Sequence, residues 1–257
     1  MKKLMILSCT ILLIFGITGI TNARLIDRGG GLIYDDVLDI TWLQDANYAY
    51  TNGDVPISSD GYMFWEDAKA WADGLEYYDS VRDVTWDDWR LPHILPVNGN
   101  SYNILAYNAD GYNGYYDLGY NVSAPGSAFP GNTGSELAYM YHINLGNRGY
   151  YNTAGWGPTS GWNNPPKATF IEVNGDPVSF QNLQTNGYWS GTEFVPSTQD
   201  RAWWFSFVDG YQTHFLWQSN FYGWAVRDGD VSTPSPEPPS GGGGGGGGCF
   251  IDTLSCK

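Results

Sequence analysis

Residues 187–228 carry the pattern that decides the fold, and they read GYWSGTEFVPSTQDRAWWFSFVDGYQTHFLWQSNFYGWAVRD. Four short runs in this stretch are rich in aromatic and β-branched residues, which is typical of strands. The runs span 188–190, 203–207, 213–216 and 224–227. Asp209-Gly210, between the second and third runs, is a strong signal for a tight hairpin turn. We therefore predict an antiparallel meander at the carboxyl-terminal end of the domain.

Upstream of the meander, the sequence predicts an opening hairpin and a helix. Segments 32–34 and 40–43 flank the acidic turn Asp35-Asp36 and have the composition of two paired strands. A helix that ends near Gly74 is predicted by apolar residues at helical spacing. These residues are Phe64, Ala68, Trp71, Ala72 and Leu75.

A second helix is predicted from Ser135 to Leu145, with Ser135 as its cap and Gly146 at its end. The segments around it are dominated by Gly, Asn, Pro and Tyr, which is the composition of loops. The order of elements is hairpin, helix, loops, helix, loops and meander. This order predicts a single α+β domain over 24–231 with two helices, long loops and an antiparallel sheet.

The two ends of the chain are predicted to lie outside the domain. Residues 1–23 have a basic start, an apolar stretch and a small-residue cleavage site, so they are expected to be a signal peptide. Residues 232–248 read as a Pro-rich and then poly-Gly linker, and 249–257 as a cysteine-containing tail. We therefore expect a secreted or cell-surface protein, with no membrane-spanning segment in the mature chain.

All three cysteines are predicted to lie outside the domain. Cys9 falls in the signal segment, and Cys249 and Cys256 fall in the tail. Three alternatives stay open for the tail pair: a disulfide, an attachment or sorting signal, and no role. An exported domain without a disulfide has to be held by core packing alone.

Composition excludes some partners and favours others. Twelve Lys and Arg against 27 Asp and Glu give a formal charge of −15, which argues against nucleic acid as a partner. Charged residues are only 15% of the chain and aromatic residues are 16%. All but two of the acidic residues lie between 24 and 230. This balance favours a neutral, hydroxyl-rich ligand.

The sequence contains no pattern that we can assign to catalysis. There is no nucleophile elbow, no zinc-protease motif and no phosphate-binding glycine loop. His93, His142 and His214 lie on separate predicted elements without metal-ligand spacing. Asp87 and Asp88 are neighbours on an extended segment, so their side chains point in opposite directions and cannot flank one glycosidic bond. We predict a non-enzymatic protein without catalytic residues.

Aromatic residues in polar loops are the positive signal for binding, because aromatic rings stack on the apolar faces of sugars and Asn side chains pair with hydroxyls. The candidate binding residues are Tyr150, Tyr151, Trp156, Trp162, Asn163 and Asn164. The competing interpretation is that these rings only pack the loops onto the domain. Core packing is expected for Trp42, Trp65, Trp71, Trp89 and Trp189. Arg90 and Arg227 are expected to pair with carboxylates.

Several blocks of the chain resemble the Lcl C-terminal domain family. They are 25–36, 40–49, Asp87-Asp88-Trp89-Arg90-Leu91-Pro92, Tyr188-Trp189-Ser190-Gly191-Thr192-Glu193 and Ala225-Val226-Arg227. The resemblance implies a C-type-lectin-like fold on an exported bacterial protein, with adhesion or glycan binding as its role. The glycines followed by Cys249-Phe250-Ile251 are similar to Gly-rich Cys-Phe-Ile ends of exported bacterial proteins.

The resemblance also raises the question of calcium, because C-type lectins often bind sugars through a calcium ion held by side-chain oxygens. The usual Glu-Pro-Asn and Trp-Asn-Asp triplets are missing, and only Trp162-Asn163-Asn164 is close to the second. We predict no cofactor, and calcium stays an open alternative without named ligands.

Three functions follow as hypotheses. The first is an exported carbohydrate-binding or adhesion module whose partner is a neutral glycan. The second is a structural or protein-interaction module of a surface assembly. The third is a glycoside hydrolase with two acids that converge in one cleft.

Overall fold

The computed structural model describes residues 24–56, 59–104, 111–195 and 199–232. The predicted signal peptide, the linker from 233 onward and the cysteine tail lie outside the described residues. The described part is a mixed α and β structure, mostly sheet with few helices, as the sequence predicted.

The strands are short and form two larger sheets and two small hairpins. They are β1 (Leu25–Asp27), β2 (Leu32–Asp35), β3 (Ile40–Leu43), β4 (Tyr62–Met63), β5 (Tyr77–Asp79), β6 (Val84–Trp86), β7 (Trp89–Arg90), β8 (Gly119–Tyr120), β9 (Thr169–Ile171), β10 (Pro177–Ser179), β11 (Gly187–Glu193), β12 (Arg201–Ser206), β13 (Tyr211–Leu216), β14 (Phe221–Tyr222) and β15 (Val226–Asp228).

The first sheet has the strand order β1-β2-β3-β15-β7, and all its pairs are antiparallel. Its β2 and β3 form the predicted opening hairpin, with Asp35 opposite Ile40. The acidic turn between them is held by the Asp35 carboxylate, which accepts hydrogen bonds from the amides of Val37 and Leu38. The prediction for this segment is confirmed.

The second sheet has the strand order β4-β14-β11-β12-β13-β8. Its centre is the predicted meander: β11, β12 and β13 pair antiparallel in succession. The turn between β12 and β13 contains Asp209-Gly210, and Gly210 has a φ of +74°, which is a conformation that glycine adopts without steric cost.

The prediction for run 224–227 was wrong in one respect. This run does not extend the meander: β15 pairs with β3 and β7 in the first sheet. The short β14 takes a place beside β11 instead, in a parallel pair. The chain therefore leaves one sheet at Tyr222 and enters the other at Val226, and this crossing buries Trp224 completely.

The structure describes three helices: α1 (Tyr48–Thr51), α2 (Trp65–Asp73) and α3 (Glu136–Tyr139), the last continued by a π-helical turn at Met140–Asn144. The sequence predicted α2 and α3 but not α1, whose four residues are too few for a periodic pattern. Ser135 caps α3 as predicted, because its side chain accepts a hydrogen bond from the Ala138 amide. Phe64 was placed on the buried face of α2, which is wrong: it is the exposed N-cap residue.

The core is rich in tryptophan, as the composition predicted for a domain without disulfides. Trp42, Trp65, Trp89 and Trp189 are buried. Trp71 is only half-buried, because its Nε1 donates to the Asp54 carboxylate at 3.0 Å near the surface.

Asp35 is a fully buried carboxylate that ties the opening hairpin to the π-helical turn after α3. Its Oδ2 accepts a hydrogen bond of 2.6 Å from Nδ2 of Asn144. Burial raises the pKa of the Asp35 carboxyl to about 6, although its hydrogen bonds from Leu38, Asn144 and Val37 oppose that shift.

We expect Asp35→Asn to remove a pH dependence of stability. Because the folded chain binds this proton more tightly than the unfolded chain does, the stabilisation is complete below about pH 4 and is lost as the pH rises through about 6. The free energy of unfolding of the parent, minus that of the variant, should fall by about 2–3 kcal/mol between about pH 4 and pH 7 in urea titrations. A difference that stays constant over this range contradicts the assignment.

The amide is a suitable replacement because Asn144 Oδ1 has no hydrogen-bond partner among the described residues. After rotation of the Asn144 amide, the new side chain can donate to that oxygen. The variant therefore keeps a bonded side chain at this position while it removes the titration.

Candidate functional site

Residues 147–166 form a long loop, here called the binding loop, that folds back on the domain. Its base is closed by the buried Asn147, whose side chain donates to the Lys167 carbonyl and accepts from the Lys167 amide. Further along, the Tyr150 amide donates to the Asp209 carbonyl at 2.9 Å. At Gly149 a Cβ atom would lie 2.9 Å from that same carbonyl oxygen, so a glycine is required for this close approach.

Three of the predicted binding residues hold the loop in place. Tyr150 packs edge-on against Trp162, with ring centres 4.9 Å apart, and Tyr151 packs against Tyr120 at 4.7 Å. Trp162 also donates from Nε1 to the Val208 carbonyl at 3.0 Å. Tyr150, Tyr151 and Trp162 are half-buried. Their contacts are those of the packing interpretation.

The remaining three predicted residues differ from one another in exposure. Asn163 is half-buried, and its Oδ1 accepts a hydrogen bond from the Arg148 amide at 2.9 Å. Asn164 is exposed. Trp156 is the most exposed large apolar residue of the described part of the chain, with 75% of its surface accessible. Among the four predicted aromatic and two predicted amide residues of the loop, Trp156 is thus the aromatic residue whose ring is exposed.

Beside Trp156 the binding loop encloses a pocket of about 510 Å³, here called the loop pocket. The lining residues are Asn121, Ala124, Pro125, His142, Gly146, Asn147, Arg148, Gly149, Tyr151, Asn152, Thr153, Thr159 and Ser160. Trp156 is attached to this lining through Asn152: its amide donates to Asn152 Oδ1, and its carbonyl accepts from the Asn152 amide. The pocket is therefore polar, and the backbone of the exposed Trp156 is bonded to one of its lining residues.

The buried histidine of the loop pocket is neutral at physiological pH. Burial lowers the pKa of His142 to about 4, although a hydrogen bond to the Asn147 carbonyl acts in the opposite direction. Because Nδ1 lies 3.3 Å from that carbonyl, Nδ1 carries the proton. Nε2 is then an acceptor, and it has no partner among the described residues.

Sequence reasoning did not find Asn121, His142 or Arg148 as pocket residues. Asn121 lies 30 residues before Tyr151 of the loop and reaches it through its Nδ2, which donates to the Tyr112 and Tyr151 carbonyls. His142 was interpreted as an ordinary structural histidine. The only available signal was its position one turn before the loop begins, which places it at the base of that loop.

The histidines and carboxylates of the described residues do not gather into a metal site. Within residues 24–56, 59–104, 111–195 and 199–232 no group of three or more His, Cys, Asp or Glu side chains is arranged to hold a metal ion. The three histidines lie apart: His93 follows β7, and His142 lies in the π-helical turn. His214 lies in β13, where its ring stacks on that of Phe194. In the triplet Trp162-Asn163-Asn164, which is close to a lectin triplet, the Asn163 Oδ1 accepts a hydrogen bond from the Arg148 amide. Calcium stays an open alternative without named ligands.

Of the two neighbouring acids singled out in the sequence, Asp88 has a structural partner. Asp88 accepts two hydrogen bonds from Arg227, both at 2.7 Å, as expected for that arginine. Asp54 and Glu76 line a smaller hollow of about 230 Å³, where the Asp54 carboxylate is bonded to Trp71 and Asn52. The lining of the loop pocket includes no carboxylate.

None of the helices in the described parts of the chain combines the length and the apolar character that crossing a bilayer requires. Comparisons with models of protein families, with curated proteins and with solved structures find no match for this chain.

Proposed function

We propose that the protein is an exported, non-enzymatic module that binds carbohydrate through the binding loop and the loop pocket. The observation that carries this proposal is the exposed ring of Trp156. The backbone amide of this residue donates a hydrogen bond to the side chain of the pocket residue Asn152. Burial of apolar surface is favourable, so an exposed indole gains free energy when a ligand covers it. The pocket beside it offers amide and hydroxyl groups that suit the hydroxyls of a sugar.

The mechanism is stacking combined with hydrogen bonding in an open site. The indole covers the apolar face of one sugar ring, while Asn152, Thr153 and Thr159 pair with hydroxyls. Such a site gives weak affinity per module, and adhesion then requires several modules displayed together. A bacterial cell surface meets that requirement, in agreement with the predicted export of the chain.

The resemblance to the Lcl C-terminal domain family supports the same role. It implies a C-type-lectin-like fold, and the mixed, mostly sheet structure is compatible with that fold. The long loop between the second helix and the last strands is where C-type-lectin-like domains place their ligand sites. In chain order, the binding loop lies between the helical segment of α3 and the strands that follow it, which corresponds to that position.

A structural or protein-interaction module is the second candidate, and one observation favours it. Ile171 and Val173 are 66% and 73% exposed on the hairpin of β9 and β10. A protein partner that covered these two side chains would bury apolar surface, which is favourable.

The first test is a glycan array with the secreted chain and Trp156→Ala. We expect the variant to lose binding about ten-fold or more, which corresponds to the loss of one stacked ring worth about 1.4 kcal/mol. Because Trp156 is exposed, the free energy of unfolding of the variant should stay within about 0.5 kcal/mol of that of the parent. A repeat in the presence of EDTA tests whether calcium takes part.

Tyr78→Ala is the matched control for this experiment. Tyr78 is 59% exposed and lies on the hairpin of β5 and β6, where its neighbour Tyr77 bonds to the Gly30 carbonyl. This variant should bind like the parent. If no glycan binds, or if both variants bind equally well, the proposed function is wrong.

A further inference from the structure

The distribution of ion pairs points to an unusual feature of the loop pocket. The described residues contain nine Lys and Arg, and six of them form ion pairs with carboxylates. The other three, Arg148, Lys167 and Arg201, are not within ion-pair distance of a described carboxylate. Arg201 bonds to Gln199 and His214 on its own hairpin. Arg148 and Lys167 both belong to the surroundings of the loop pocket.

Arg148 presents an unused edge of its guanidinium group. Its Nη1 donates to the Ser160 carbonyl at 3.0 Å, and this bond holds the group across the binding loop. Nε and Nη2 have no hydrogen-bond partner among the described residues. These two nitrogens form the side of the guanidinium that binds a carboxylate with two parallel hydrogen bonds.

Lys167 adds a second positive charge at the same place. Its ammonium group donates to the carbonyl of Gly146, a lining residue, at 3.1 Å. The carboxyl group of Asp209, whose backbone carbonyl holds the Tyr150 amide, does not line the pocket. The pocket is thus a positively charged, acid-free site on a chain with a formal charge of −15.

His142 supplies a group of a different kind. Its side chain is 3% exposed, lines the pocket and has an unpartnered Nε2 acceptor. A buried acceptor without a partner is costly, and a ligand hydroxyl would satisfy it. Arg148 and His142 together therefore fit a ligand that carries both an acid group and a hydroxyl.

We propose that the loop pocket binds a uronic acid, a sugar with a carboxylate, as part of a glycan. Arg148 Nε and Nη2 bind the carboxylate, Lys167 contributes positive charge, and His142 Nε2 accepts from a hydroxyl of the same ligand. This inference rests on the proposed function and changes its ligand from neutral to acidic. The other acidic residues of the domain repel an acidic ligand only weakly, because at physiological salt charges are screened beyond about 8 Å.

The test uses the secreted chain and oligosaccharides of glucuronate, galacturonate and mannuronate, each beside its carboxyl-reduced, neutral counterpart. We expect at least one uronate to bind about ten-fold or more tightly than its neutral counterpart in calorimetric titrations. That preference should decrease as NaCl is raised. Arg148→Gln should reduce binding of the uronate to that of the neutral sugar, whereas Trp156→Ala should weaken both sugars.

Lys69→Gln is the control, because it changes the net charge by the same amount at the distant exposed pair with Asp73. Equal binding of uronates and neutral sugars overturns this inference but leaves the proposed function in place. Equal losses in Arg148→Gln and Lys69→Gln also overturn it. If no saccharide of either kind binds, both the inference and the proposed function are wrong.

Discussion

Replacement of Trp224 by alanine is expected to lower the free energy of unfolding by about 3–5 kcal/mol. The residue lies where the chain passes from β14 in one sheet to β15 in the other, and its side chain is fully buried. Removal of the indole leaves a cavity that the surrounding rings cannot fill without leaving their own positions.

The contacts of Trp224 explain why the effect should be this large. Its ring centre lies 4.7 Å from that of Trp42 and 4.9 Å from that of Phe180. Tyr188 and Phe207 are within 5.8 and 6.0 Å. Its Nε1 donates to the Leu43 carbonyl at 2.8 Å, so the residue joins β3 of the first sheet to residues of the second. No disulfide of the domain could compensate for its loss, since residues 24–231 contain no cysteine.

Urea unfolding followed by circular dichroism measures this change. Trp156→Ala is the matched control, because it deletes the same side chain at an exposed position and should cost no more than about 0.5 kcal/mol. If the two variants lose similar amounts of stability, Trp224 does not have the role in the core that we assign to it.

The second large effect is expected for Arg90→Met, at about 3–5 kcal/mol. Arg90 in β7 donates two hydrogen bonds of 2.8 Å to the carboxylate of Glu136 and bonds to Asp228 in β15. Glu136 is 8% exposed at the start of α3. Methionine keeps the packing of the stem but leaves this carboxylate buried without its cation, which is the costly way to break such a pair.

Two further variants separate this electrostatic cost from a general loss of packing. Arg24→Met breaks the exposed pair with Asp36 and should cost no more than about 1 kcal/mol. Arg90→Met combined with Glu136→Leu removes both charges and should recover a substantial part of the loss. A double variant as unstable as the sum of the two single variants would show that the buried charge is not the cause.

The local elements of this protein could be predicted from the sequence because their signals are local. The opening hairpin, α2, the capped start of α3 and the β12–β13 turn each depend on residues within about one element of each other. Arg90 and Arg227 could be assigned to carboxylate partners because a guanidinium between core aromatic residues requires one. The assignment of specific partners, Glu136 and Asp88, required the structure.

The binding residues illustrate the opposite case. Tyr150, Trp156 and Trp162 occur in similar Gly- and Asn-rich surroundings, so nothing in their sequence distinguishes a packed ring from an exposed one. In the structure Trp162 bonds to Val208 and packs on Tyr150, while Trp156 stays open. Exposure depends on what lies opposite a ring, and a loop has no periodicity that would reveal it.

The sequence by itself determined the α+β class, the opening hairpin, the strands β11 to β13 and the two longer helical segments, because hydrophobic periodicity and turn residues act over a few positions. Nine of the described strands, with two or three residues each, were not predicted, because so few residues carry no periodic pattern. Only the tertiary structure decided that 224–227 joins the first sheet, since an extended run does not specify its pairing partner. It also brought His142, Arg148 and Lys167 to one pocket. Their common location depends on how a long loop folds back on the domain, and that is set by contacts with distant residues such as Asn121 and Asp209.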